Sequence, residues 1–122
     1  LAENQGIQWM IADSSMELYQ CKLMVLHAAY KIDHGEDFRS EVSMAKHFVA
    51  NSLNRIVDRA IQVHGALGYS LDTPLESMLR HARAARLVDG ADEVHMQQIA
   101  LHVIEAFRET GGTRRATGAD LL

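Results

Sequence analysis

The chain has 122 residues, of which 48% are hydrophobic, with one proline, one cysteine and a formal net charge of −4. This length predicts a single domain. The acid excess argues against a nucleic-acid surface, and the lone Cys21 excludes an internal disulfide. No apolar run approaches the roughly 20 residues of a membrane span. Abundant Ala, Leu, Met, Gln and Arg favour helix.

The first predicted helix covers residues 4–33. Its apolar residues recur three and four positions apart, as on one face of an amphipathic helix. They are Ile7, Ile11, Leu18, Cys21, Val25, Ala28 and Ile32, with the small Ser14 interrupting the stripe. Gly35 predicts the C-terminal stop. The connection that follows is short, so the next helix is expected to return antiparallel.

The second predicted helix covers residues 38–64 and repeats the same spacing. Its apolar residues are Val42, Ala45, Val49, Leu53, Ile56, Ala60 and Val63. Gly65 predicts the end of this helix, and Gly68 reinforces the break.

The third predicted helix is short and begins with three agreeing signals. Thr73 is expected as the N-cap, Pro74 at the first helical position, and Glu76 as the partner in a capping box. The helix is expected to end near Leu87. Three arginines at one-turn spacing give it a basic face: Arg80, Arg83 and Arg86. That face is either solvated and paired with residues such as Glu76, or it contacts a neighbouring subunit or a cofactor phosphate.

The fourth predicted helix begins after Asp89 and Gly90 and ends at Arg108. Its apolar residues are Val94, Ile99, Leu101, Ile104 and Phe107. Residues 109–122 are rich in Gly and Thr and are expected to be loose or held by a partner chain. No strand pattern occurs, so the sequence predicts an all-α four-helix bundle over residues 1–108.

Asp89 is the strongest candidate for chemistry, and its position allows two interpretations. As an N-cap, its carboxylate accepts a backbone N–H and faces the positive end of the helix. As a general base, it needs a partly desolvated site that keeps it available for a proton. Position alone favours the cap.

Carboxylate–histidine spacing suggests a metal site only weakly. Asp92 and His95, and also His102 and Glu105, lie three positions apart. A di-iron bundle needs two Glu-x-x-His motifs and two further Glu, and only one pair here runs in that direction. No metal site is predicted.

Five segments, in this order, resemble the C-terminal domain of the acyl-CoA dehydrogenase family. They are residues 1–8 (LAENQGIQ), 42–46 (VSMAK), 62–69 (QVHGALGY), 74–83 (PLESMLRHAR) and 88–95 (VDGADEVH). No single segment decides the resemblance, but five in the right order are specific. The resemblance runs from residue 1 to about residue 107.

The resemblance implies α,β-dehydrogenation of an acyl-CoA thioester. In the family a carboxylate removes the α-proton while the β-hydrogen leaves as hydride to FAD. Asp89 stands where the family usually has Glu, which shortens the reach by about 1.3–1.5 Å. Asp89 is therefore the expected catalytic base, and Gly90 beside it the expected substrate-contacting residue. Val88 is smaller than the usual family aromatic and leaves room for a bulky acyl group.

The resemblance also assigns FAD contacts. Gln62 and Gly65 match family positions that contact the FAD of a neighbouring subunit. Ala66 stands where the family has a second Gly, and Ala91 where the family has a Thr that hydrogen-bonds the flavin. Glu93 and His95 match later positions that face the cofactor in the family.

The resemblance implies that the chain works with other parts. The family's N-terminal helical domain and β-domain are absent from this sequence, so the chain is expected to be the C-terminal domain of a larger dehydrogenase or one piece of a split enzyme. A homo- or hetero-tetramer and an electron acceptor such as an electron-transfer flavoprotein are the expected partners. Bacterial cytoplasm and mitochondrial matrix fit equally. The alternative is a non-catalytic assembly subunit of the same fold, in which Asp89 only caps a helix.

Overall fold

The computed structural model describes residues 1–111, and in this range it contains five α-helices and no strand. The helices are α1 (Gln5–Asp33), α2 (Arg39–His64), α3 (Ala66–Tyr69), α4 (Leu75–Ala84) and α5 (Asp92–Thr110). The all-α prediction is confirmed, and α1 and α2 begin and end within one residue of their predicted bounds. The predicted tail, residues 109–122, lies mostly outside the described residues.

Helices α1 and α2 form an antiparallel hairpin, as predicted. Lys31 near the end of α1 pairs with Glu41 near the start of α2 at 2.6 Å. Glu17 in the middle of α1 pairs with Arg55 and Arg59 at 2.6 and 2.7 Å. Gly35 ends α1 in a left-handed conformation (φ 68°) and donates its N–H to Ile32, which is a Schellman-type stop.

The predicted inward face of α1 is partly wrong. Ile11, Leu18, Val25 and Ile32 are all exposed, Leu18 to 57%. The residues that turn away from solvent are instead His27 and a series spaced alternately three and four positions apart: Ile7, Met10, Ser14, Glu17, Cys21, Met24, Ala28 and Lys31. The helix has more than one apolar stripe, and its partner α2 offers Arg55 and Arg59, so the stripe that carries Glu17 faces α2.

Helix α2 is the centre of the fold, because α1, α3, α4 and α5 all pack against it. Its buried side chains are small: Ser40, Ser43, Ala45, Ala50, Ser52 and Val57. Small side chains let neighbouring helices approach closely. Asn54 exploits this proximity by donating to the carbonyl of Ala82 on α4 at 2.6 Å.

A short helix, α3, occupies the segment that was predicted to be only a turn. Gly65 adopts φ 61°, ψ −142°, a conformation open essentially to glycine alone, and the chain then re-enters helix for one turn. Gly68 lies against the end of α2, where an added Cβ would come 2.8 Å from the carbonyl oxygen of Ile61. The two glycines therefore fold the chain back over α2.

The predicted start and end of the third helix are also corrected. Pro74 is the N-cap of α4, and no side chain makes a capping hydrogen bond there. Thr73 bonds the carbonyl of Leu67 instead, and Glu76 pairs with Arg80, so the capping box does not form. Helix α4 ends at Ala84 rather than near Leu87. The chain then tightens into a turn that directs Arg86 toward α5.

Large apolar side chains are mostly outside. In residues 1–111, the buried hydrophobic residues are five alanines and Val57. Trp9, Met16, Leu23 and Tyr30, spaced seven apart on α1, are all exposed, as are Val94, Leu101, Ile104 and Phe107 on α5. Among residues 1–111, no helix is both long and apolar enough to cross a membrane.

Candidate functional site

Asp89 and Gly90 form a turn in which both residues are left-handed. Their φ values are 54° and 95°, and Asp89 is the only non-glycine residue with positive φ in residues 1–111. The N-cap of α5 is Ala91, without a side-chain capping bond, so the capping interpretation of Asp89 is wrong. Asp89 is exposed. Within the described part of the chain, its carboxylate has no hydrogen bond or ion pair.

Two side chains contact the backbone of this turn, one from α2 and one from α5. Lys46 on α2 donates from Nζ to the carbonyl of Gly90 at 2.5 Å. His95 on α5 places Nε2 3.2 Å from the carbonyl of Asp89. The ring of His95 lies directly under Gly90, because a Cβ added there would meet Nε2 at 2.8 Å. Gly90 is therefore required by its φ and by the close approach of His95.

Asp92 anchors the end of the turn in a buried polar cluster. It is 4% exposed. Its Oδ2 accepts from Arg86 Nε at 2.6 Å and from Asn51 Nδ2 at 3.1 Å. Burial alone would raise the pKa of Asp92, but the hydrogen bonds from Arg86 and Asn51 outweigh burial and hold that pKa below its ordinary value. The backbone closes the same loop, because Asp92 N–H donates to Arg86 O at 3.2 Å.

His47 is the fourth side chain at this cluster. Its Nδ1 lies 3.6 Å from Oδ1 of Asp92, just beyond hydrogen-bond distance. Both atoms are buried without a hydrogen-bond partner. The cluster thus ties α2, the residues after α4, and the first turn of α5 into one unit beneath the Asp89 turn.

The remaining predicted site residues fall into two groups. Gly90, Ala91 and Glu93 lie with Asp89 at the start of α5, where Gly90 and Ala91 are half-buried and Glu93 is exposed. Gln62, Gly65 and Ala66 are exposed at the other end of α2. Asn51 beneath the turn and Gln62 are eleven positions apart along α2, which is about 16 Å at 1.5 Å per residue. The structure does not bring the two groups together.

The second group offers bare backbone to a ligand. Nothing lies within 4 Å of the place where a Cβ of Gly65 would be. This open glycine beside the Gln62 amide suits the close approach of a cofactor's phosphate or ring.

Sequence reasoning missed Lys46, Asn51 and Asp92 as site residues. Lys46 and Gly90 are 44 positions apart, and no pattern among neighbouring residues predicts that contact. Asp92 was noted in the sequence only for its spacing from His95, and an acid at the first position of a helix is otherwise a common dipole partner, so its contacts with Arg86 and Asn51 were not predicted. In residues 1–111 no group of three or more His, Cys, Asp or Glu is placed to hold a metal ion.

The family model for the acyl-CoA dehydrogenase C-terminal domain matches residues 1–104. The chain is 43% identical over 101 residues to (R)-benzylsuccinyl-CoA dehydrogenase of Thauera aromatica. It is 39% identical over 105 residues to 3-(aryl)acrylate reductase of Clostridium sporogenes. Acyl-CoA dehydrogenase from Slackia heliotrinireducens superposes with a TM-score of 0.84 at 26% identity, covering 89% of this chain and 29% of that one. The chain belongs to the acyl-CoA dehydrogenase family, of which it carries the C-terminal domain.

The match takes in most of this chain but a small part of each relative. The two enzymes align with 82% and 86% of the chain, and with only 25% and 28% of their own lengths. The chain thus spans about a quarter of these curated relatives.

Proposed function

We propose that the chain is the C-terminal domain of a flavin-dependent acyl-CoA dehydrogenase and that Asp89 is its catalytic base. The observation that carries this proposal is the contrast within one turn. The backbone of the turn is held in a rare conformation, with Lys46 on the Gly90 carbonyl and His95 on the Asp89 carbonyl, while the Asp89 carboxylate has no partner in residues 1–111. A carboxylate kept free on a fixed backbone is suited to accept a proton from a bound substrate.

The chemistry assigned to this chain is proton removal. The Asp89 carboxylate takes the α-proton of the acyl thioester, and the α-carbon keeps the electron pair that forms the new double bond. Asp is one methylene shorter than Glu. Whether the Asp89 carboxylate reaches the α-proton therefore depends on the position of the backbone at the turn. Gly90 and Ala91 beside it have almost no side chain, which leaves space for a thioester at the turn.

The family is FAD-dependent, and FAD supplies the acceptor for the hydride that leaves the β-carbon. Gln62, Gly65 and Ala66 are the residues proposed to hold it at the far end of α2, against a neighbouring subunit's cofactor. Ala91 and Glu93 are proposed to contact the flavin at the Asp89 end. The distance of about 16 Å along α2 agrees with contacts to two cofactors or to two ends of an extended one.

The exposed apolar faces support assembly into a larger protein. Rows of exposed large apolar side chains, such as those on α1 and α5, are typical of surfaces that other protein covers. We assign them to the N-terminal and β-domains of the enzyme and to the subunits of a homo- or hetero-tetramer. An electron-transfer flavoprotein is the proposed acceptor, and bacterial cytoplasm or mitochondrial matrix the proposed compartment.

The visible spectrum of the intact native protein, purified without added cofactor, tests this proposal. Flavin bands that bleach on addition of an acyl-CoA are the expected result. The same sample with an enoyl-CoA and reduced flavin reports the reverse direction. A colourless protein that takes up no FAD would contradict the proposal and favour the assembly subunit without catalysis.

A further inference from the structure

We propose that Lys46 is a positioning residue for Asp89: its ammonium fixes the Gly90 carbonyl and so sets where the Asp89 carboxylate stands. This inference rests on the proposed function of Asp89. Lys46 reaches across 44 positions of sequence to make the contact, at 2.5 Å. A hydrogen bond from a charged donor is shorter and stronger than a neutral one.

The ammonium of Lys46 contacts the Gly90 carbonyl, and within residues 1–111 it forms no ion pair. Its side chain is half-buried on α2. Other lysine and arginine side chains that bridge helices here end on carboxylates, as Lys31 does on Glu41 and Arg59 on Glu17. Lys46 ends on a backbone carbonyl of the turn, so its effect is on backbone geometry.

The turn needs such a hold because its conformation is unfavourable for Asp89. Left-handed backbone outside glycine persists only where surrounding contacts impose it. His95 contacts the Asp89 carbonyl from α5, and Lys46 contacts the next carbonyl from α2. The link between Arg86 and Asp92 closes the turn below. Without Lys46, α2 still reaches Asp92 through Asn51, but the carbonyls of Asp89 and Gly90 keep only the contact from His95.

The consequence is specific to catalysis. Releasing Gly90 lets the turn shift relative to α2, and this shift moves the Asp89 carboxylate away from the position that proton removal requires. A displacement of about 1 Å costs on the order of 100-fold in rate. Because Asp89 is already a short side chain, it has little reach with which to compensate.

Turnover of the complete enzyme with its flavin is the measurement. Lys46→Met should lower kcat by on the order of 10- to 100-fold, with flavin content unchanged and KM changed far less than kcat. Lys46→Arg, which can still donate to the carbonyl, should recover most of the loss. Lys31→Met is the matched control, because it removes a helix-bridging ammonium of the hairpin; it should lower thermal stability and leave kcat within about twofold.

A double variant links the effect to Asp89. In an Asp89→Asn background, Lys46→Met should cause no further loss of turnover, since a residue that acts through the carboxylate has nothing left to position. Two results would overturn the inference: equal effects of Lys46→Met and Lys31→Met on kcat, or full additivity with Asp89→Asn.

Hydrogen exchange separates this inference from the proposed function. Lys46→Met should speed amide exchange in residues 86–92, and Lys31→Met should not. If Asp89→Asn keeps turnover near that of the wild type, the assignment of Asp89 as the base fails. Faster exchange of residues 86–92 in Lys46→Met would still show that Lys46 fixes the turn. Unchanged exchange in residues 86–92 would rule out that hold, whatever Asp89 does.

Discussion

The hairpin of α1 and α2 and the turn at Asp89 use charged side chains in opposite ways. In the hairpin, charged side chains that bridge the two helices meet opposite charges, as Lys31 does with Glu41 and Glu17 with Arg55 and Arg59. At the turn Lys46 and His95 meet carbonyls, and the carboxylate of Asp89 has no partner among residues 1–111. The ion pairs of the hairpin stabilise the packing of α1 on α2, whereas the contacts at the turn fix its backbone and leave the Asp89 carboxylate available.

Removing an arginine-paired carboxylate from each region gives the largest expected effects on stability. Asp92→Asn should destabilise the enzyme by about 1–3 kcal/mol, because Arg86 loses its charged partner but can still reach water. Glu17→Gln should lower the free energy of unfolding by a similar amount, because Arg55 and Arg59 lose their charged partner. Thermal unfolding checks both values.

Turnover then distinguishes these two variants. Asp92→Asn should also lower kcat, because Asp92 anchors the turn, while Glu17→Gln should leave kcat near that of the wild type. Equal kcat values for the two variants would remove the distinction drawn between the regions.

A pair of glycine substitutions sharpens the comparison. Gly90→Ala and Gly35→Ala both place a side chain at positive φ (95° and 68°), which costs on the order of 1 kcal/mol each. Gly35 has nothing within 4 Å of the new Cβ, whereas at Gly90 the Cβ would meet His95. Gly90→Ala should displace His95 and lower kcat, and Gly35→Ala should affect stability alone. A loss of kcat in Gly35→Ala would contradict this.

Lowering the pH should reduce the stability that Glu17 contributes to the hairpin and Asp92 to the turn. Burial opposes ionisation of Glu17 and Asp92, yet hydrogen bonds from arginine hold the pKa of each below its ordinary value of 4.5 or 3.8. A carboxyl whose pKa is lower in the folded state contributes stability above its unfolded pKa, and that stability is lost as pH falls through the folded pKa. Melting temperature should therefore drop below pH 4.5, and less so in Glu17→Gln and Asp92→Asn.

The smallest effect is expected at the exposed pair on α4. Arg80 and Glu76 lie four residues apart, and the Arg80 side chain is 76% exposed. Arg80→Ala should therefore change stability by less than about 0.5 kcal/mol and leave turnover unaltered. A larger loss of melting temperature would mean that Arg80 contacts another part of the assembled enzyme.

The sequence predicted what local rules control. Periodic apolar residues and the stops at Gly35 and Gly65 placed α1 and α2, since helix length and C-terminal glycines follow from neighbouring residues. The face that α1 turns to α2 was not predictable in the same way. Leu18 and Glu17 both lie on regular stripes, and only the arginines of α2 decide between them.

In the candidate site, too, only the features that depend on neighbouring residues were predicted from the sequence. Asp89 and Gly90 were found from their motif, but the capping interpretation failed because Ala91 begins α5 and Asp89 takes a left-handed conformation instead. Lys46 and Asn51 reach the turn from α2 across some 40 positions of sequence. Such contacts depend on how α5 packs against α2, which no pattern within either helix specifies.

Turnover of Asp89→Asn in the complete flavin-loaded enzyme tests the central claim most directly. The substitution keeps the shape of the side chain and removes its ability to take a proton. We expect kcat to fall by on the order of 100- to 10,000-fold, with flavin content and melting temperature unchanged, and with Asp33→Asn, an exposed acid at the end of α1, as the control. Turnover within a few-fold of the wild type would contradict the assignment of Asp89 as the base.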